Sequence, residues 1–563
     1  MKNYNVIVVG AGGGGAVVAK ELGELGLKVL MTEAGPWYGN SKWPCPNTDK
    51  GADSSQHVDD LNIALFKQSY TKLENDMNDL ITGKLRWGPA NRERPPWTRV
   101  FEQSGFVWQN SGVGGSTQHY LANSPRAFPT MVDGEWPISY RELLPFYEKV
   151  EAELPVEFAP VTAKEELFYF GAKRAGWSLL STLDVNSSGY RPQPNAILSP
   201  NPNLTNTNYS TYELSWMEGC TLAGHCINGC PHGPSVEKIA KRSTNVSYTP
   251  LALATGNVEI MPNTFTYKII TEDHPKEGIR ATGVKVRNTW TDLEQEFYAD
   301  CIVIAAGAIE TPRLWLNSQL PFNEWVGKGL SNHNMDLVTG IFNSKELVSI
   351  INSSNVGPNV GHTSGARFDY PGLGSLLAMG LSPGLTASFA YGLSKAGNSP
   401  YLLNQTFSKG RIIGKGLMEL MANYQNTMNL LIVTHDEIVK SNKVSITPTV
   451  KDEHGPVPAI SYVATKKTLR RKKKLIKIAS DILVSAGAKR VVHSDWPDGI
   501  MIHVMSTMRM GYVVDQNCEA FQVKRLFIAD NSVLVNGLGG PNPTLTTQAL
   551  ATRTAKIIND KYF

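Results

Sequence analysis

Val6-Ile7-Val8-Val9 is an unbroken β-branched run, which predicts a short strand buried on both faces. Gly10-Ala11-Gly12-Gly13-Gly14-Gly15 follows, and then helically spaced apolar positions from Ala16 to Leu25. A second strand, Val29-Leu30-Met31, ends near Glu33. Cys301-Ile302-Val303-Ile304 repeats the buried pattern and leads through Ala305-Ala306-Gly307-Ala308 to Glu310-Thr311-Pro312, which opens a helix. Leu526-Phe527-Ile528-Ala529 is another such strand, closed by Asp530-Asn531, and Gly540 to Thr546 leads into a helix from Gln548 to Ile558. Residues 443–463 read as strand, an Asp452-Glu453-His454-Gly455 turn, and strand. Residues 340–430 are rich in Ser, Asn and Gly and carry no nucleotide motif.

Composition narrows the class without naming it. A chain of 563 residues predicts two lobes rather than one. Its 41% hydrophobic and 18% charged content is that of a globular protein, and no repeat or low-complexity tract interrupts it. A net charge of +4 is small for this length and implies no nucleic-acid partner. No uncharged apolar run reaches the roughly 18 residues of a membrane span. Met1-Lys2-Asn3-Tyr4-Asn5 enters a strand directly, with no secretory pattern. The default expectation is cytoplasmic, with export or membrane attachment through a partner subunit as the alternative. The run Lys466 to Lys474 reads as the solvated start of an amphipathic helix, or as a dock for an acidic redox partner.

The N-terminal unit has the chemistry of a dinucleotide grip. Gly10 permits a tight turn, Gly12 lets a pyrophosphate approach the backbone, and Gly15 lets the helix close on the strand. The helix N-terminus offers free N–H donors to phosphate, and Glu33 is placed to accept from ribose hydroxyls. FAD and NAD present the same ADP group to such a unit. A planar ring needs close backbone contact, and Ser111-Gly112-Val113-Gly114-Gly115-Ser116-Thr117-Gln118-His119 is suited to it.

Taken in order, the turn Gly10–Gly15 with Glu33, the loop Gly112–His119, Trp136-Pro137, Ala305–Arg313, His503–Gly511 and Asp530–Thr546 resemble the glucose–methanol–choline (GMC) oxidoreductases over nearly the whole chain. The resemblance implies an α/β fold: a discontinuous Rossmann-like FAD-binding domain from 1–140, 215–335 and 495–563. A sheet-containing α+β substrate domain would come from 141–214 and 336–494. It implies flavin contacts from Gly114, Gly115, Ser116, Ala305, Gly307, Asn531, Pro543 and Thr544, with Asp530 at the ribityl chain. Asp530 at a strand end also suits a turn cap. His119 matches a histidine that is covalently joined to the flavin in some members and merely packs against it in others.

In such enzymes a base takes the hydroxyl proton of the substrate while a hydride passes to flavin N5. His503 matches the family's base, and a neutral imidazole with an ordinary pKa of about 6.5 suits the task. Asn542 falls where members carry His or Asn; an amide cannot act as a base, so it would orient the substrate oxygen. The implied substrate is a sugar, glycoside, polyol or other alcohol. Alternatives are an oxidase using oxygen and a hydroxynitrile lyase using the same histidine. A nicotinamide enzyme sharing only the ADP grip is a further one. His435-Asp436-Glu437 would face the pocket or form a surface turn.

Cys220, Cys226 and Cys230-Pro231 have the spacing C-x5-C-x3-C-P. Converging thiolates suit an iron–sulfur cluster, zinc with His225 as fourth ligand, or simply structural thiols. The segment resembles bacterial FAD-dependent glucose and fructose dehydrogenases, which implies a three-iron cluster and an electron-transfer partner subunit. It departs from the family pattern after Pro231, at His232-Gly233-Pro234-Ser235. Without a cluster, oxygen or a quinone would take the electrons. Cys45, Cys301 and Cys518 are expected in core or loops.

Overall fold

The computed structural model describes residues 4–37, 100–101, 106–200, 219–222, 224, 226, 239–289, 291–397 and 406–563. The β-branched runs form its first sheet. Strands Val258–Met261, Val29–Thr32, Tyr4–Val9, Glu294–Ile304 and Leu526–Ile528 lie side by side and parallel. Val6–Val9, Cys301–Ile304 and Leu526–Ile528 are all buried, as apolar runs without alternation require when both faces are covered. Strand Glu294–Ile304 extends into an antiparallel meander with Gly278–Asn288 and Thr264–His274.

Helix Gly15–Glu24 packs on helices Tyr248–Ala254 and Thr544–Tyr562. The chain enters it through Gly10, whose φ is +102° and where a Cβ would lie 2.5 Å from the Ala305 carbonyl oxygen. A Cβ on Gly15 would lie 1.9 Å from the Gly10 carbonyl oxygen, so helix and strand meet where no side chain has room. Helix Tyr140–Glu153 also belongs to this core: Leu143, Tyr147 and Val150 are buried in it, and the Tyr147 hydroxyl meets Thr546 Oγ1 at 2.8 Å.

A second seven-stranded sheet has the order Phe407–Lys409, Arg490–His493, Asn334–Ile341, Thr427–Thr434, Gly374–Met379, Ser364–Tyr370 and Gly189–Pro192. Its side chains divide with period two. Val338, Leu376, Ala378, Leu430 and Ile432 join the core under helix Lys466–Ser485. Met335, Leu337, Leu377, Met379, Leu431 and Val433 form a separate apolar layer on the opposite face. Residues 340–430 thus supply much of this sheet. The expected hairpin is present as Lys443–Asp452 with Gly455–Ser461. Its turn reaches the first lobe, where Arg313 donates to Asp452 at 2.6 Å and to the Pro456 carbonyl at 3.0 Å. The fold is α/β with a second, sheet-containing lobe.

Candidate active site

Glu33 directly follows strand Val29–Thr32 and is buried. Its Oε2 accepts from the Ala11 N–H, and its Oε1 from the Gly35 and Gly112 N–H groups, each at 2.9 Å. Burial raises its pKa to about 7, against the pull of those bonds. The carboxylate therefore ties the glycine turn, its own turn and the Gly112 loop together, a role the sequence reading did not include. Beside it Phe265 and His454 stack, with ring centroids 3.8 Å apart and an 8° interplanar angle.

A cavity of about 310 Å³ runs from Glu33 and Phe265, past the glycine turn, to His503. Of the described site residues named from sequence, Gly15, Gly114, Cys220 and Cys226 are absent from its wall, and the catalytic and flavin-contact candidates otherwise line it. Gly15 instead faces Gly10, and Gly114 packs on Asn245 and Gln118. This wall fits FAD. At Gly12 a Cβ would meet nothing nearer than 3.8 Å, so its backbone borders open space at the N-terminus of helix Gly15–Glu24, where phosphate is favoured. Asp530 is on the wall and also caps: it accepts from Gly307 N–H at 2.9 Å, Thr311 Oγ1 at 2.5 Å and Ser532 N–H at 2.8 Å. Burial raises its pKa in spite of them. His119 lines the cavity, and burial, aided by the Lys241 charge, lowers its pKa to about 3.

At the far end, His503 Nε2 lies 3.3 Å from Asn542 Nδ2, and His503 Nδ1 lies 2.8 Å from His333 Nδ1. These contacts fix the protons. His333 Nε2 is 2.9 Å from the Gly537 carbonyl oxygen, which can only accept, so that nitrogen carries hydrogen. Burial lowers the His333 pKa to about 4, so the ring is neutral and its Nδ1 is bare. His503 Nδ1 must then donate, leaving His503 Nε2 unprotonated beside Asn542. Burial, and next the neighbouring His333, hold the His503 pKa well below its ordinary value. The Asn542 Oδ1 is buried with no partner among the described residues.

His333 and Asn332 were missed in the sequence. The Asn332 side chain accepts from the Ile502 and His503 N–H groups at 3.2 and 3.0 Å and so holds the histidine backbone. Their only local signal is the polar run Ser331-Asn332-His333-Asn334 ahead of an apolar strand. Asp436 supports this arrangement from behind by accepting from Asn332 N–H at 3.1 Å, Tyr462 hydroxyl at 2.7 Å and Thr468 hydroxyl at 2.8 Å. His435 and Asp436 are therefore neither pocket wall nor surface turn, because packing behind the second sheet buries both. The basic run is not uniformly solvated either. Lys472 turns inward to Asp336 and Asp498, at 3.3 and 3.1 Å.

Cys220 and Cys226 are buried; their sulfurs accept from Leu222 N–H and Thr363 N–H, each at 3.4 Å. Cys230 and His225, the remaining members of the expected ligand sets, lie outside the described residues, as does Cys45. Cys301 and Cys518 are core thiols. Among the described residues no helix is long and apolar enough to cross a membrane.

Two family models, each described as GMC oxidoreductase, match residues 215–335 and 439–551. The chain is 23% identical to 2-methyl-1,2-propanediol dehydrogenase of Mycolicibacterium austroafricanum, over 99% of this chain and 95% of that one. It is 22% identical to the gluconate 2-dehydrogenase flavoprotein of Pantoea cypripedii, over 100% and 94%. A solved structure of Aspergillus oryzae formate oxidase superimposes with a TM-score of 0.63 at 13% identity, covering 100% of this chain and 99% of that one. With the glycine turn, the long cavity and the paired C-terminal residues in one site, the chain carries the N- and C-terminal domains of GMC oxidoreductases and is an FAD-dependent enzyme of the kind that acts on alcohols or sugars.

Proposed function

We propose that this protein oxidises the CH–OH group of an alcohol, with His503 as the base. The observation that carries the reading is the bare Nε2 of His503, which faces the cavity beside Asn542 while its Nδ1 proton is committed to His333. Bound FAD supplies a two-electron acceptor for the hydrogen leaving carbon as hydride. The chain's own part is to seat and deprotonate the alcohol. Its hydroxyl donates to His503 Nε2, and its oxygen accepts from Asn542 Nδ2, which favours the developing negative charge. The proton taken at Nε2 makes His503 an imidazolium, and its Nδ1–H bond to His333 strengthens as it does so.

His503→Ala tests this. The variant should keep FAD but lose its anaerobic reduction by substrate by about 10³-fold, the scale of general-base catalysis. Unimpaired reduction would remove His503 from the mechanism. A wild-type flavin that stays oxidised with every alcohol and sugar while hydroxynitriles are cleaved would favour the lyase reading instead.

A further inference from the structure

The substrate end of the cavity has a wall of distinct chemistry. The second sheet turns Met335, Leu377, Met379 and Leu431 toward it, and Phe389 and Trp496 complete the patch as an edge-to-face pair with centroids 4.9 Å apart. Leu377 and Leu431 are directly opposed in register, so this is one continuous surface across two neighbouring strands. It lies next to the reacting centre: Met335 is two residues beyond His333, whose ring touches His503.

Three charged residues at one side of the same sheet, Arg191, Arg367 and Asp369, are sealed away from it. Arg191 Nε donates to Asp369 at 2.9 Å, and Arg367 donates to Asp369, to Gln193 at 3.2 Å and to Ser375 at 2.9 Å. All three charged residues are fully buried, and none lines the cavity. A sugar brought to His503 would press several hydroxyls against methionine, leucine and aromatic carbon. Hydroxyls that face this patch, away from Asn123 and Asn542, would lose water without gaining a partner, and burial of that kind opposes binding. An alkyl or aryl skeleton would lose only unfavourable hydration, and thioethers beside aromatic rings adapt to either shape.

We infer that, within the alcohol-oxidising reading on which this rests, the substrate is an apolar primary or secondary alcohol whose reacting hydroxyl is its principal polar group, and not a sugar or polyol. Asn542 and His503 recognise the hydroxyl; the Met335–Trp496 wall recognises the carbon skeleton.

The test uses the purified holoenzyme under anaerobic conditions. Flavin reduction is followed with benzyl alcohol, cinnamyl alcohol and hexan-1-ol, and in parallel with glucose, fructose and sorbitol. The apolar set should be favoured by at least about 100-fold in kcat/KM, the discrimination available when polar groups are buried unpaired. As an equilibrium readout, benzyl methyl ether, which has no hydroxyl to oxidise, should perturb the oxidised flavin spectrum, and methyl glucoside should not. Leu377→Asn should weaken that perturbation and lower kcat/KM for benzyl alcohol at unchanged FAD content. Reduction or perturbation confined to the sugars overturns the inference and leaves the alcohol-oxidising reading standing. A flavin that neither set reduces overturns both.

Discussion

His503 can serve as a base only through the nitrogen that lacks a proton, and that nitrogen is chosen two contacts away, at the Gly537 carbonyl. His333 passes the choice on. His333→Ala should therefore slow anaerobic flavin reduction by about 10²-fold, since it frees the ring to adopt the wrong tautomer and orientation. Normal reduction in that variant, with FAD retained, would show that His503 is oriented by other means. The pH dependence follows from the same contacts. Burial and His333 lower the His503 pKa below its ordinary 6.5, so the base stays unprotonated as pH falls through that value. The reduction rate should be flat across pH 6.5 and decline only at lower pH; an acid limb centred at or above 6.5 would contradict this assignment.

Among the elements, helix Lys466–Ser485 shows how one sequence run serves two surfaces. Thr465 caps it by accepting from Thr468 N–H, and Leu475, Ile478, Ile482 and Leu483 sit in the core beneath it. Helical spacing sends Lys472 to the same side while Lys473 points to water. Lys472 meets Asp336, whose pKa burial would raise but which the His493 bond and the Lys472 charge lower overall. Lys472→Ala should cost about 3 kcal/mol in urea unfolding, because it strips the lysine charge from a buried carboxylate. Lys473→Ala should stay within about 0.5 kcal/mol. Equal effects of the two changes would mean that the Asp336 contact contributes nothing.

For the whole molecule, the cavity joins the two lobes: its wall takes Gly10 and Glu33 from the first core and Met335 and Leu377 from the second sheet's apolar layer. A ligand held across both lobes stabilises both. FAD at about 100 times its Kd should add about 2.7 kcal/mol and raise Tm accordingly, and stripping it should lower Tm until it is restored. A Tm indifferent to FAD would mean that the folded chain does not hold it. Much of this architecture was legible in the sequence, because strand burial, the glycine turn and the helix after it are set by sterics and periodicity within a few residues. The hairpin at His454 was legible for the same reason, but its stacking on Phe265 was not. Nor was the use of Glu33 as a three-way backbone anchor, for its partners include Gly112, 79 residues away. The family pattern in the sequence singled out His503 and Asn542; their approach, the proton arrangement and the apolar wall were decided by tertiary packing. His333 stands 170 residues from His503 and 204 from Gly537, and no local rule couples such positions. Only the folded chain brings a carbonyl, two imidazoles and an amide into line, and burial then keeps both rings neutral.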